Sequence, residues 1–88
     1  MADYPENYSY QSSDKTLHWD GVSEAEEYQI EYSTDPQPQV VWQITYNGGT
    51  NLSCPFNKSP DAYAIQGKAK NDGRWSIYSP IEYIVIAP

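Results

Sequence analysis

Cys54 and His18, the one cysteine and the one histidine, are the residues that could pair as a nucleophile and its base. That chemistry needs more: a third group to orient the imidazole, and donors to stabilise an oxyanion. Neither is evident. His18 lies between Leu17 and Trp19 in an alternating run, which points it away from the core. Cys54 sits in a short apolar fragment, the usual home of a structural cysteine. With no second cysteine or histidine, metal ligation lacks a ligand set. Glu24, Glu26 and Glu27 are neighbouring carboxylates, but a glycosidase pair must flank a cleft, and this segment reads as a solvated loop. There is no Gly-rich phosphate loop and no calcium-loop spacing. The expectation is a chain with no catalytic residue, no metal and no cofactor.

The remaining chemistry is cationic and aromatic. In Lys68–Pro80, KAKNDGRWSIYSP, the bases Lys68, Lys70 and Arg74 precede Trp75 and Tyr78. A cation laid on a ring contributes about 0.5–1 kcal/mol at an exposed site. The run therefore reads first as a clamp across a hairpin and second as an exposed patch. Tyr46, beside Asn47-Gly48-Gly49, is a further aromatic without an obvious place in the core. Exposed aromatics anchor partners, which makes Tyr46, Arg74, Trp75 and Tyr78 the candidate binding residues. Three Asn-X-Ser sequons, at Asn7, Asn51 and Asn57, favour an extracellular or cell-surface chain over a cytoplasmic one if the source is eukaryotic.

Positioning these groups falls to 88 residues, enough for one domain spanning 1–88 with a small core. Aromatics make up 15% of the chain, so a few large side chains supply most of the buried area. The formal charge of −7 argues against nucleic acid and against an anionic membrane surface. No apolar run is long enough to cross a bilayer. A single cysteine excludes an internal disulfide.

Period-two alternation, the mark of strands with one buried face, runs through most of the sequence. Leu17 and Trp19 share a face, as do Tyr28, Ile30 and Tyr32. Val40, Trp42 and Ile44 alternate before the Asn47-Gly48-Gly49 turn, and Leu52 with Cys54 makes a short fragment. Tyr63, Ile65, Gly67 and Ala69 line another face, and Ile81–Ile86 is a closing β-branched strand. The expected core is Leu17, Trp19, Tyr28, Ile30, Tyr32, Tyr63, Ile65 and Ala69. Gly67 within a strand predicts a bulge or a large neighbour such as Trp19. Tyr8 and Tyr10 mark a weak first strand after a frayed Met1–Glu6, so the core is expected over 14–86. Ser23–Glu27 is too short for a helix. Six or seven short strands at this spacing predict an all-β antiparallel sandwich.

Together these residues resemble a fibronectin type III domain, an immunoglobulin-like sandwich of about seven strands. The resemblance rests on Leu17 and Trp19, on Tyr28, Ile30 and Tyr32, and on Trp42. It continues through Pro60 and Tyr63, then Ala69, Asn71 and Gly73, then Ser76 and Ser79, covering residues 14–86. Gly67 departs from the family's branched apolar residue, and Pro60 stands one residue closer to Tyr63 than the pattern has it. Trp75-Ser76-Ile77-Tyr78-Ser79 also resembles the Trp-Ser-x-Trp-Ser signature of class I cytokine receptors, with Tyr78 for the second Trp. The resemblance implies a non-catalytic interaction or adhesion module of a larger protein, with a structural spacer as the alternative and a receptor-like domain behind both. The expected partner is another protein or neighbouring domains of the same chain, and the domain itself is expected to be monomeric.

Overall fold

The computed structural model describes residues 3–88. Among the described residues, eight strands and no helix make two antiparallel sheets. They are β1 (Glu6–Gln11), β2 (Thr16–Asp20), β3 (Glu27–Ser33), β4 (Gln43–Asn47), β5 (Ser53–Pro55), β6 (Asp61–Asn71), β7 (Arg74–Trp75) and β8 (Glu82–Ile86). The smaller sheet runs β1-β2-β5. The larger runs β4-β3-β6-β7, with β8 pairing the first half of β6. One edge strand is thus split into β7 and β8, and this split accounts for eight strands where about seven were expected.

The alternation that marks the strands also builds the core. Register pairs Tyr28 with Ala69, Ile30 with Gly67 and Tyr32 with Ile65. These inward positions meet Leu17, Trp19 and Cys54 of the smaller sheet, all buried. Of the side chains expected inside, Tyr32 is only half-buried; it packs edge-on against Phe56, ring centroids 5.3 Å apart. Phe56 is itself fully buried and touches Tyr10 and Tyr63 in the same edge-to-face manner. Such aromatic pairs contribute about 0.5–1.5 kcal/mol each beyond area burial. Tyr63 also anchors the crossing between sheets, its hydroxyl donating to the Ser59 carbonyl at 2.7 Å. A tyrosine bonding back upstream at this strand's start is the corner typical of immunoglobulin-like sandwiches.

Three expectations need correction. Pro5 is fully buried and Tyr8 is a core residue, so the fraying expected over Met1–Glu6 does not extend to Pro5 and Glu6, and the core begins before residue 14. Met1 and Ala2 lie outside the described residues. Val40, Trp42 and Ile44 do not share a buried face: β4 starts at Gln43, and Val40 and Ile44 are exposed. The cause is a register shift against β3, where Ile30 faces Tyr46 but Glu31 faces Ile44. Thr45 is the extra residue, and a bulge of this kind reverses the faces beyond it. Finally, the space at Gly67 is filled by Tyr8 and Ile30, not by Trp19, and the β3–β6 register is regular there.

Candidate functional site

Asp72 and Gly73 both have positive φ, 53° and 76°, between the paired residues Asn71 and Arg74. That is the two-residue turn whose twist suits a hairpin, and Asp-Gly is a favoured sequence for it. The turn returns the chain along β6 for only two residues. From Ser76 onward serine side chains take over the ladder. Ser76 donates its N–H to the Ala69 carbonyl at 2.8 Å, and its hydroxyl accepts from Ala69 N at 3.0 Å. Ser79 repeats the arrangement with Gly67, at 2.7 and 3.1 Å. Both backbone groups of Gly67 and of Ala69 are thereby satisfied without a continuous strand.

The rings of Trp75 and Tyr78, each one position before a serine, lie over the outer face of the larger sheet. Lys68 Nζ stands 4.9 Å from the Trp75 ring centre and 5.0 Å from that of Tyr78, and Lys70 Nζ is 5.8 Å from Trp75. Lys70 also reaches Glu27 at 3.4 Å. The Tyr78 hydroxyl meets Glu31 and Gln29 at 3.1 and 3.3 Å. Burial and the Glu31 carboxylate both push its ionisation upward. Trp75 and Tyr78 are therefore held in a stack with two lysines. Arg74 is not in this stack. It is exposed and lines a groove of about 290 Å³ with Asp3, Val22, Asn71, Trp75 and Ser76.

Tyr46, the fourth candidate, lies elsewhere. Opposite Ile30 on the inward face, it packs on Trp19 at 5.4 Å between ring centres. Its hydroxyl accepts from Asn51 N at 2.9 Å. The structure brings Arg74, Trp75 and Tyr78 to one end of the outer face and leaves Tyr46 at the core's edge, where it supports the turn.

Behind the run is a polar chain that the sequence reading did not identify. The Tyr8 hydroxyl is 2.9 Å from the Pro5 carbonyl and 2.9 Å from Ser79 Oγ. Gly67 N–H donates to Ser79 Oγ, so the consistent assignment sends the serine proton to Tyr8 and the tyrosine proton to Pro5. Three chain segments meet at that point. A methyl at position 67 would occupy the space of the tyrosine oxygen, which is why a glycine stands there. Glu82 adds a second tie, accepting from the N–H groups of Asn7 and Tyr8 at 2.9 and 3.1 Å.

The residues that could do covalent chemistry are kept apart. β2 and β5 pair Leu17 with Cys54 and His18 with Ser53, so thiol and imidazole lie on opposite faces. Burial pushes the Cys54 thiol up, which disfavours the nucleophilic thiolate. His18 bonds to the Thr16 hydroxyl instead, at 2.7 Å. Glu26 accepts from Gly73 N and Glu27 pairs with Lys70, so those carboxylates brace the hairpin. Among the described residues no three His, Cys, Asp or Glu side chains gather as metal ligands. No helix among them is long and apolar enough to cross a membrane.

Comparison with solved structures finds an Fn3-like protein from Clostridium thermocellum, 18% identical, superposing with a TM-score of 0.70 over 97% of this chain and 92% of that one. The chain has a fibronectin type III-like fold. Neither a protein-family model nor a curated protein matches the sequence. At 18% identity the likeness concerns the Fn3-like architecture alone, and a shared architecture does not by itself assign a function.

Proposed function

We propose that this Fn3-like domain is a non-catalytic protein-interaction module and that its contact surface is the β6–β7 hairpin end, around Arg74 and Trp75. The observation that carries this reading is the state of Trp75. The residue is 38% exposed, yet its ring is held by two lysines, so a partner meets an aromatic anchor already ordered. Pre-ordering lowers the entropy cost of binding, and tryptophan and arginine are both among the residue types enriched at interface hot spots. Arg74 has no carboxylate within 4.0 Å among the described residues, which leaves its fork available for a partner's acid or carbonyl. The exposed positions of Asn7, Asn51 and Asn57 are in keeping with an extracellular or cell-surface setting. Affinity capture from the source organism with the wild-type domain and with Arg74→Glu tests the reading. A partner retained by the wild type and lost by the variant supports it; identical captured sets, or none, reject it.

A second reading, a spacer between domains, is favoured by the placement of the two ends. Glu6 pairs with Asp20, and Asp3 lines the hairpin groove, whereas Ile86 pairs with Asp61 and Ala87 lies near Ser12 and Lys15. The described chain thus enters at one end of a body about 41 Å long and leaves at the other, as a bead in a series would. A domain whose hairpin variants capture everything the wild type does fits this second reading.

A further inference from the structure

The two flanks of the sandwich are built differently. On one, β8 lies against β1, and Glu82 satisfies the donors freed by the β1 irregularity at Asn7 and Tyr8. On the other, the larger sheet ends at β4 and the smaller at β5, and no described strand pairs with either outer edge. From Pro36 through Asn57 the sequence has no charged residue. Both edge strands and the loop joining them fall in that interval, in a chain of formal charge −7. Val40, Val41, Ile44 and Leu52 in the same interval are all exposed large hydrophobics. A free strand edge is a row of N–H and C=O groups ready to pair, and soluble proteins usually guard it with lysine, proline or an inward charge. Gln43–Asn47 has none of these, and its one guard is the bulge at Thr45.

We propose that this flank is a self-association surface, on which β4 of a second copy pairs antiparallel across a two-fold axis and joins the two larger sheets. Charge and symmetry identify the occupant. Two copies of charge −7 repel each other through their acidic faces, and repulsion is weakest where the approaching segments bring no charge of their own; Asp35 borders this flank, its carboxylate accepting from Val41 N at 2.7 Å. A charged partner gains nothing from such a flank, whereas an antiparallel edge is complementary to itself under a two-fold rotation. Five residues make a short ladder, so the association is weak and reversible. The monomer expected from the sequence is then the dilute form. This surface is separate from the hairpin end, and neither proposal depends on the other.

Sedimentation equilibrium from about 10 μM to about 1 mM spans the relevant range of affinity. The mean mass is expected to rise from 10.0 kDa toward twice that value. Added salt should increase the dimer fraction by screening the net charge. Ile44→Lys places like charges about the axis and should weaken the dimer about tenfold. Val85→Lys, at a position 70% exposed on β8, should leave it unchanged. Amide shifts that move on dilution only over residues 43–47 would locate the contact without any variant. A mass fixed at 10.0 kDa throughout, a dimer undisturbed by Ile44→Lys, or one abolished by Val85→Lys overturns the proposal. So does a chain that stays monomeric but takes a foreign extended peptide at β4.

Discussion

Gly67→Ala tests the junction at which the N-terminal segment, β6 and the serine run meet. The added carbon would stand 2.6 Å from Ile30 Cδ1, 2.7 Å from the Tyr8 hydroxyl oxygen and 3.2 Å from the Gln29 carbonyl oxygen. None of the three moves freely. Ile30 is fully buried, Gln29 contributes backbone, and the tyrosine oxygen is held by Pro5 and Ser79. Overpacking of a filled core costs about 1–3 kcal/mol. Displacing the hydroxyl from its buried bonds costs about 1–2 kcal/mol more. Against this, alanine in a strand gains about 0.5–1 kcal/mol over glycine. Steric loss wins, with a net destabilisation of about 2–3 kcal/mol. For a domain of this size each kcal/mol moves the melting temperature by about 4–8 °C. A fall of about 10–20 °C by circular dichroism is expected. The mechanism is checked by a double-mutant cycle with Tyr8→Phe, which removes one of the three obstructing atoms. The pair should be less destabilised than the sum of its members by about 1 kcal/mol, since both changes act on one contact. A Gly67→Ala domain as stable as wild type, or strictly additive mutants, would refute the argument.

Two further outcomes follow from the same geometry. Trp75→Ala removes stacking on Lys68 and Lys70 and should cost about 1–2 kcal/mol, whereas Arg74→Ala, outside the stack, should fall within about 0.5 kcal/mol of wild type. Equal thermal midpoints for Trp75→Ala and wild type would remove the clamp. Burial, with smaller contributions from Glu82 and Glu6, raises the Tyr8 phenol above its ordinary value despite the hydrogen bond from Ser79. The folded state therefore keeps this proton to a higher pH than the unfolded state. The associated stability is complete below about pH 10 and is lost as pH rises toward the folded value, by up to about 1.4 kcal/mol per pH unit. Urea midpoints across that range should fall, and Tyr8→Phe should fall less steeply; parallel slopes would contradict the assignment.

What the sequence made legible depended on whether a residue's environment is set locally. Tyr28–Tyr32 and Tyr63–Ala69 belong to strands with one wet and one dry face, so polarity alone gives the register. Phe56 keeps the two-residue spacing from Leu52 and Cys54, but Pro55 marks the strand as ended before it. Its burial follows from the loop folding back, with Phe56 N donating to the Lys15 carbonyl at 2.9 Å. Tyr8 and Pro5 sit among polar and acidic neighbours; Tyr8 is made core by Ser79 and Gly67, which are distant in the sequence, and its hydroxyl ties the Pro5 carbonyl to the same point. Tyr46 shows how a single inserted residue misleads. Thr45 bulges out of the pairing, so Ile44 and Tyr46 point to opposite faces although two positions apart, and the expected inside and outside exchange. At the hairpin end the turn chemistry of Asp72-Gly73 and the nearby cations were both readable. Arg74 could not be separated from the two lysines, because their sequence spacing does not say which cations share the face of the rings.

The Trp75–Ser79 run also explains why the last edge strand is interrupted. Trp75 and Tyr78, Ser76 and Ser79, and Ile77 and Pro80 are each three positions apart, and each pair has its own surroundings. The rings lie on the lysines, the serines bond to β6, and Ile77 and Pro80 face solvent. A strand, with its two-residue period, offers only two faces and could not meet all three environments. A three-residue period, that of the polyproline II helix, can. Its weakness is the absence of internal hydrogen bonds, which leaves a backbone to be held from outside. The two serines supply that support by bonding in both directions to Gly67 and Ala69. The run is thus held at the cost of its own freedom to rearrange around a partner. On the proposed contact surface, that would leave adaptable contacts to Arg74 and the groove beside it, with the aromatic stack as the rigid part.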